Sequence, residues 1–415
     1  MVSAAESIKG ANQTSIQESN RSLLLRLLKR RGVCSRVELA RLTGLKQATI
    51  TNIINDMIRI GLVEETGLLD SGKGRKAIGI MLKKDAFYVI GLRLTRKFFR
   101  IGLFDPAGEL QDHEKYIIPD DQSPSVIMKR MIGAVQKMQS RHSQKRILSA
   151  GVSVPGPYFP DSGRIRAVSE FPGWEEIDIR SAFENGLSIP VIVEHDANVG
   201  VLAEWENLPK DTDEKVMVYL AVGQGVGAGI IENGKVLKGA YGTAGEVGHI
   251  SMNALGERCA CGNRGCLTGY ASTIGFVKLV RNAIREGEKS SLKHDFTFGD
   301  LAERIRGDTK DPAVHKIFKE IIVRYLGTLL VNLMWTYSPD EIVVGDEMAE
   351  LGDVLTGELR QFVRDHTLPY MTELTGIRLS SLEDDPAFLG SADLVIDSIW
   401  DRQELWNQGL RRISS

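Results

Sequence analysis

The sequence predicts an α/β fold in which an N-terminal winged helix-turn-helix precedes a two-lobed α/β module with a ligand cleft. Three observations predict it. Three helical stretches and a glycine-rich cationic hairpin occupy residues 20–82. Beyond Phe87 a strand–turn–strand–turn–strand unit occurs twice. After the second unit, one histidine and three cysteines crowd into eighteen residues, the spacing of a metal site.

A chain of 415 residues exceeds an ordinary domain of about 100–200 residues, so two or three units are expected. Hydrophobic residues at 42% and charged residues at 26% fit a soluble globular protein. No apolar run reaches the roughly 18 residues of a membrane span, and no membrane partner is expected. Residues 1–19 are polar, without a basic flank leading into an apolar core, and read as a flexible arm rather than a signal peptide. Cys34 stands alone while Cys259, Cys261 and Cys266 cluster. An odd trio without a leader points to metal rather than disulfides, and to a reducing cytoplasm.

The net charge of −2 conceals an asymmetry: residues 20–82 hold twelve Lys/Arg against five Asp/Glu, a balance of +7. A basic head on an acidic body suits a polyanion partner, and a merely solvated basic surface is the other reading.

In the head, Leu23, Leu24, Leu27 and Leu28 follow helical spacing and Gly32 ends the stretch. Ser35 with Glu38 three residues on makes a capping box for a second helix, with Val37, Leu39 and Leu42 inward. Thr43-Gly44-Leu45 turns into a third helix, from about Gln47 to Ile60, whose buried face is Ile50, Ile53, Ile54 and Met57. Strands over Leu62–Thr66 and Ala77–Leu82 flank a tip carrying Lys73 and Arg75. The third helix offers Lys46, Gln47, Thr49, Thr51 and Asn52 to base edges in the major groove of double-stranded operator DNA, and Lys73 and Arg75 could reach phosphates or a narrow minor groove. Three helices alone would equally serve a dimerisation unit; the hairpin and the +7 balance favour DNA.

The body divides into a first lobe over 85–196 and a second over 197–415, after a head over 20–84. Strands are expected at 87–94, 98–104, 109–118 and 147–154, then at 215–222, 226–231 and 235–237. A buried helix over about 321–335 leads to a strand at 341–344, and the C-terminal helix could return to the first lobe. Ligands of such sheets lie at strand C-terminal ends.

His249, Cys259, Cys261 and Cys266 give one imidazole and three thiolates, a set that suits one structural tetrahedral Zn²⁺ with no open position for a catalytic water. Buried reduced cysteines or a redox Cys-x-Cys pair are the other readings.

Several motifs then align with one family. Gly245-Glu246-Val247-Gly248-His249-Ile250 and the cysteine run 259–267, supported by Val154-Pro155-Gly156-Pro157, Phe171-Pro172-Gly173-Trp174 and Glu194-His195-Asp196-Ala197-Asn198, resemble the ROK family of bacterial repressors and sugar kinases. The resemblance implies an actin/hexokinase-like pair of lobes, and its repressor branch carries the N-terminal winged helix. It implies that Asp196 matches the kinase base, that Glu246 and His249 contact sugar hydroxyls, and that His249 is also a zinc ligand. The candidate sugar-contacting set is Glu170, His195, Asp196, Glu246, His249 and Thr268. Asp196 would also serve as a helix N-cap, and Trp174 and Phe171 as sugar surface or as core.

The departures are informative. Where ATP-using members have Asp-x-Gly-Gly-Thr-Lys, this chain has Arg93-Leu94-Thr95-Arg96-Lys97-Phe98, and the later triple glycine is Gly345-Asp346-Glu347. Phosphoryl transfer depends on a positioned metal and backbone donors, so no enzyme activity is expected. Thr268 replaces a glutamate and Glu170 an asparagine, which alters the hydroxyl pattern the pocket reads. The expected protein is a homodimer, or a dimer of dimers, presenting two third helices about 34 Å apart to a palindromic operator and released by a sugar or sugar derivative. A sugar kinase with a DNA-binding appendage is the competing reading.

Overall fold

The computed structural model describes residues 13–69, 77–119, 121–166, 172–208, 215–293, 295–308 and 310–401. Lys73 and Arg75 of the expected hairpin tip, and Glu170 and Phe171 of the expected pocket, lie outside them.

The N-terminal unit runs α1 (Gln13–Arg31), β1 (Cys34–Ser35), α2 (Arg36–Thr43), α3 (Gln47–Arg59), β2 (Val63–Leu69) and β3 (Ala77–Leu82). Residues 13–19, expected within the flexible arm, are helical. Their first turns carry one apolar residue, half-exposed Ile16, so no periodicity marked them. The Ser35 hydroxyl accepts from the Glu38 N–H at 3.2 Å and starts α2, and Gly44 at φ +70° ends it. Val37, expected inward, is 60% exposed while Leu39 is fully buried. Two residues on a helix stand about 200° apart, so both cannot face one core. For the same kind of reason Leu25, and not Leu23, is buried in α1. The sheet order is β1-β3-β2, so the short strand at Cys34 adds a third member to the expected hairpin.

The first lobe comprises β4 (Tyr88–Leu94), β5 (Phe98–Phe104), β6 (Leu110–Ile117), α4 (Pro124–Arg141), β7 (Ile147–Val154), the small hairpin β8 (Tyr158–Phe159) and β9 (Arg164–Ile165), α5 (Ile179–Gly186) and β10 (Val191–His195). α6 (Asp196–Glu206) leads to the second lobe: β11 (Val216–Val222), β12 (Val226–Glu232), β13 (Lys235–Val236), α7 (Thr268–Ala271), α8 (Thr273–Arg285), α9 (Phe298–Arg306), α10 (Pro312–Ile317), α11 (Arg324–Tyr337), β14 (Glu341–Gly345), α12 (Asp353–His366), α13 (Pro369–Leu374) and β15 (Gly376–Leu379). α14 (Pro386–Asp401) follows.

The two sheets are equivalent. In β10-β7-β4-β5-β6, strands β4, β5 and β6 form an antiparallel meander, and β7 and β10 add in parallel on the other side of β4. In β13-β12-β11-β14-β15 the same arrangement recurs around β11. β4 is buried at every position, as a central strand covered on both faces requires, whereas edge strand β6 alternates. Buried Trp174 belongs to the first-lobe core, not to a sugar-facing surface.

α14 packs against first-lobe strands through glycines. A Cβ on Gly151 of β7 would lie 1.9 Å from the Ser391 carbonyl oxygen, and one on Gly390 would lie 1.8 Å from that of Val199 in α6. α6 and α14 therefore meet backbone to backbone. The N-terminal unit docks on this helix pair. Ser22 donates to the Trp400 carbonyl, and Arg26 pairs with Asp401 and Asp397. Lys29 donates to Asp393 at 2.6 Å and lies 3.4 Å from Glu206. The apolar core of the head continues into Phe388, Val395, Ile396 and Trp400 of α14. No helix among the described residues is long and apolar enough to cross a membrane.

Candidate functional site

A cavity of about 420 Å³ opens between the lobes, at the C-terminal ends of β4, β7, β10 and β14. His195, Asp196, Glu246, His249 and Thr268 all line it, so five of the six expected pocket residues converge. β10 delivers His195 as its last residue, and α6 begins at Asp196. His195, not Asp196, occupies the N-cap position. The Asp196 carboxylate instead faces the His195 ring at 3.0 Å, and the other side of that ring is 3.7 Å from Glu246.

Burial by itself would lower the His195 pKa, but Glu246 and Asp196 outweigh it and push the imidazole up to about 9. Burial would raise Asp196, yet the hydrogen bond and charge of His195, with Arg93 beyond, leave it below the usual carboxylate range. Glu246 is raised, first by burial. The site thus presents two carboxylates about a charged imidazole, a set that can accept and donate to vicinal hydroxyls. Gly156 forms one wall: a Cβ there would lie 2.4 Å from the Glu246 carboxylate and 2.5 Å from the His195 ring. Behind them, buried Glu194 accepts from Asn198 and pairs with Lys238 of the second lobe.

His249, Cys259, Cys261 and Cys266 bring one ligand atom each within 4.8 Å of one another. His249 Nδ1 lies 3.6 Å from the Cys259 sulfur, and the Cys261 and Cys266 sulfurs are 3.6 Å apart. Tetrahedral bonds of about 2.0–2.3 Å separate their ligands by roughly 3.3–3.8 Å, so these two pairs have the spacing of such a site and the four residues could hold a metal. Gly262 and Gly265 at positive φ turn the chain tightly around it. Since His249 belongs to both the cluster and the cavity wall, a bound ion would fix one wall of the pocket.

Sequence reasoning did not find the ion cluster beside this pocket. Arg93, 8% exposed, pairs with Asp385 and lies 3.2 Å from Asp346. The signals were the arginine in β4 and the Gly345-Asp346 turn, but only the fold brings them together with the segment before α14.

On the N-terminal unit, Lys46, Gln47, Thr49, Thr51 and Asn52 lie at the start and first turns of α3, exposed or half-exposed, opposite buried Ile50, Ile53, Ile54 and Met57. The Thr51 hydroxyl donates to the Gln47 carbonyl.

The ROK family profile matches residues 89–398, three quarters of the chain. The chain belongs to the ROK family. Among ROK relatives, the xylose repressor of Caldicellulosiruptor bescii is 27% identical over 394 residues, 94% of this chain and 98% of that protein. The transcriptional dual regulator NagC of Escherichia coli is 29% identical over 371 residues, 88% and 89% of the two chains. A crystal structure of a ROK family transcriptional regulator, described as a homologue of the E. coli MLC protein, superposes with a TM-score of 0.78 at 24% identity, covering 95% of this chain and 99% of its own.

Proposed function

We propose that this ROK protein is a sugar-responsive transcriptional repressor. Its N-terminal unit is a winged helix-turn-helix that presents α3 to operator DNA, and a sugar in the interlobe cleft lowers DNA affinity. The observation that carries the reading is α6. Its first residue, Asp196, lines the cleft, and its last, Glu206, lies against Lys29 of the N-terminal unit. One helix, pressed backbone to backbone on α14, touches ligand site and head alike. A sugar that prefers one lobe arrangement then biases the head by its differential affinity for the two states.

His195, Asp196, Glu246, His249 and Thr268 contact the sugar in this reading. The homologous repressors supply the class and not the sugar, since one is named for xylose and another, of Escherichia coli, for N-acetylglucosamine. His249, Cys259, Cys261 and Cys266 hold one Zn²⁺, which supplies a structural cross-link. Two chains pair to place two α3 helices on half-sites about 34 Å apart. Arg93 in the place of a metal-binding carboxylate disfavours the competing sugar-kinase reading.

The test uses the full chain. DNA is selected from random sequence, and binding is followed by fluorescence anisotropy with and without a panel of pentoses, hexoses and amino sugars. The expected result is selection of a palindrome, steep weakening with salt, and release by at least one sugar. Failure to select any sequence overturns the DNA reading, and indifference to every sugar overturns the sugar response. ATP turnover on the same panel, abolished by Asp196→Asn, would favour the kinase.

A further inference from the structure

The charge of the cleft narrows the ligand class. Among the described lining residues are seven carboxylates, of which Asp384 is paired with Arg100, and two arginines. Arg93 is already engaged by Asp346 and Asp385, and its Nε is sealed from solvent. Arg96 donates to the Gln224 carbonyl at 3.2 Å. His195 stands between Asp196 and Glu246. Glu347 accepts from the neutral donors Gln224 and Thr273.

Asp346 is held there by the backbone. It adopts φ +64°, a conformation rare for residues other than glycine, and accepts from the Glu347 N–H. Its carboxylate fills the hollow beside Gly223: a Cβ on that glycine would lie 2.7 Å from it. A strained residue thus holds an anion against Gly223, at the turn between β11 and β12.

We propose that the effector is an uncharged sugar, and that the interlobe cluster Arg93–Asp346–Asp385 shuts phosphate out of the cleft. This rests on the sugar-binding reading above. Arg93 belongs to the first-lobe strand β4, and Asp346 follows the second-lobe strand β14. The pair therefore also ties the lobes together without a ligand. A phosphate entering here meets a surplus of carboxylates, and the nearest guanidinium is already neutralised.

Inorganic phosphate is the probe, measured by thermal shift on the full chain against sodium chloride of equal ionic strength. The wild type should be unmoved, Asp346→Asn/Asp385→Asn should be stabilised, and adding Arg93→Gln to that pair should abolish the gain. Asparagine has the shape of aspartate, and Asp346→Asn alone, which keeps Asp385 on Arg93, serves if the double variant does not fold. For any sugar that binds the wild type, its 6-phosphate should bind more than about tenfold more weakly. Stabilisation of the wild type through Arg93, a 6-phosphate that binds as well as its parent sugar, or a folded aspartate variant indifferent to phosphate overturns the proposal. A chain that binds no sugar overturns the reading beneath it instead.

Discussion

The Lys29 ammonium lies 3.4 Å from the Glu206 carboxylate, so the last residue of the helix that begins at Asp196 reaches into the N-terminal unit. Lys29 is buried, donates to Asp393, and faces the Trp400 ring at 5.7 Å. Burial would lower its pKa, but Asp393, Glu206 and Asp397 hold it well above the usual lysine value.

Lys29→Met should leave these carboxylates buried without their cation, and lower stability by about 3–5 kcal/mol in urea unfolding. Adding Asp393→Asn should restore part of that loss. In the double variant, sugar should still bind while its effect on DNA affinity shrinks, which anisotropy with and without sugar measures.

His195 gives a pH dependence of defined sign. Its pKa is about 9 in the folded chain against 6.5 for a free imidazole. A raised folded value favours folding fully below about pH 6.5, and the contribution disappears as pH rises through 9. The wild type should therefore lose up to about 3 kcal/mol over that window relative to His195→Gln, read by denaturant unfolding at a series of pH values.

Gly156→Ala tests the pocket wall. The new methyl would displace Glu246 and the His195 ring, and ligand affinity should fall by about tenfold or more in calorimetry. The fold should survive, because the clash is with two side chains at a cavity.

Elemental analysis should find one zinc per chain. Its removal by a chelator should lower Tm by about 1 °C for each kcal/mol lost in a 415-residue chain that unfolds as one unit, and weaken sugar binding through His249. Cys261→Ser should behave like the chelated protein.

Gln47→Ala and Asn52→Ala should each cost about 1–3 kcal/mol of specific DNA affinity, with little change in nonspecific binding. Anisotropy on selected and scrambled duplexes separates the two.

Local rules made much of this legible. Capping at Ser35, the positive-φ turn at Gly44 and the apolar face Ile50, Ile53, Ile54 and Met57 are short-range, and they placed α2 and α3. The cysteine cluster was legible because its ligands lie within eighteen residues, and the doubled meander because each copy is contiguous. The burial of Val37 was misjudged, since a hydrophobic residue on a short helix does not by itself show which face is inward.

What the sequence by itself determined was therefore α2, α3 and the strands of the two meanders, the duplication and the grouping of His249 with the three cysteines, all governed by neighbours along the chain. Tertiary structure alone decided the pairing of Arg93 with Asp346 and Asp385, and of Lys29 with Glu206 and Asp393. Those partners are 177 to 364 residues apart, and a lone charge in a sequence carries no sign of which opposite charge the fold will bring beside it. The two clusters tie lobe to lobe and head to body because backbone contacts such as Gly390 on Val199 fix the helices that carry them.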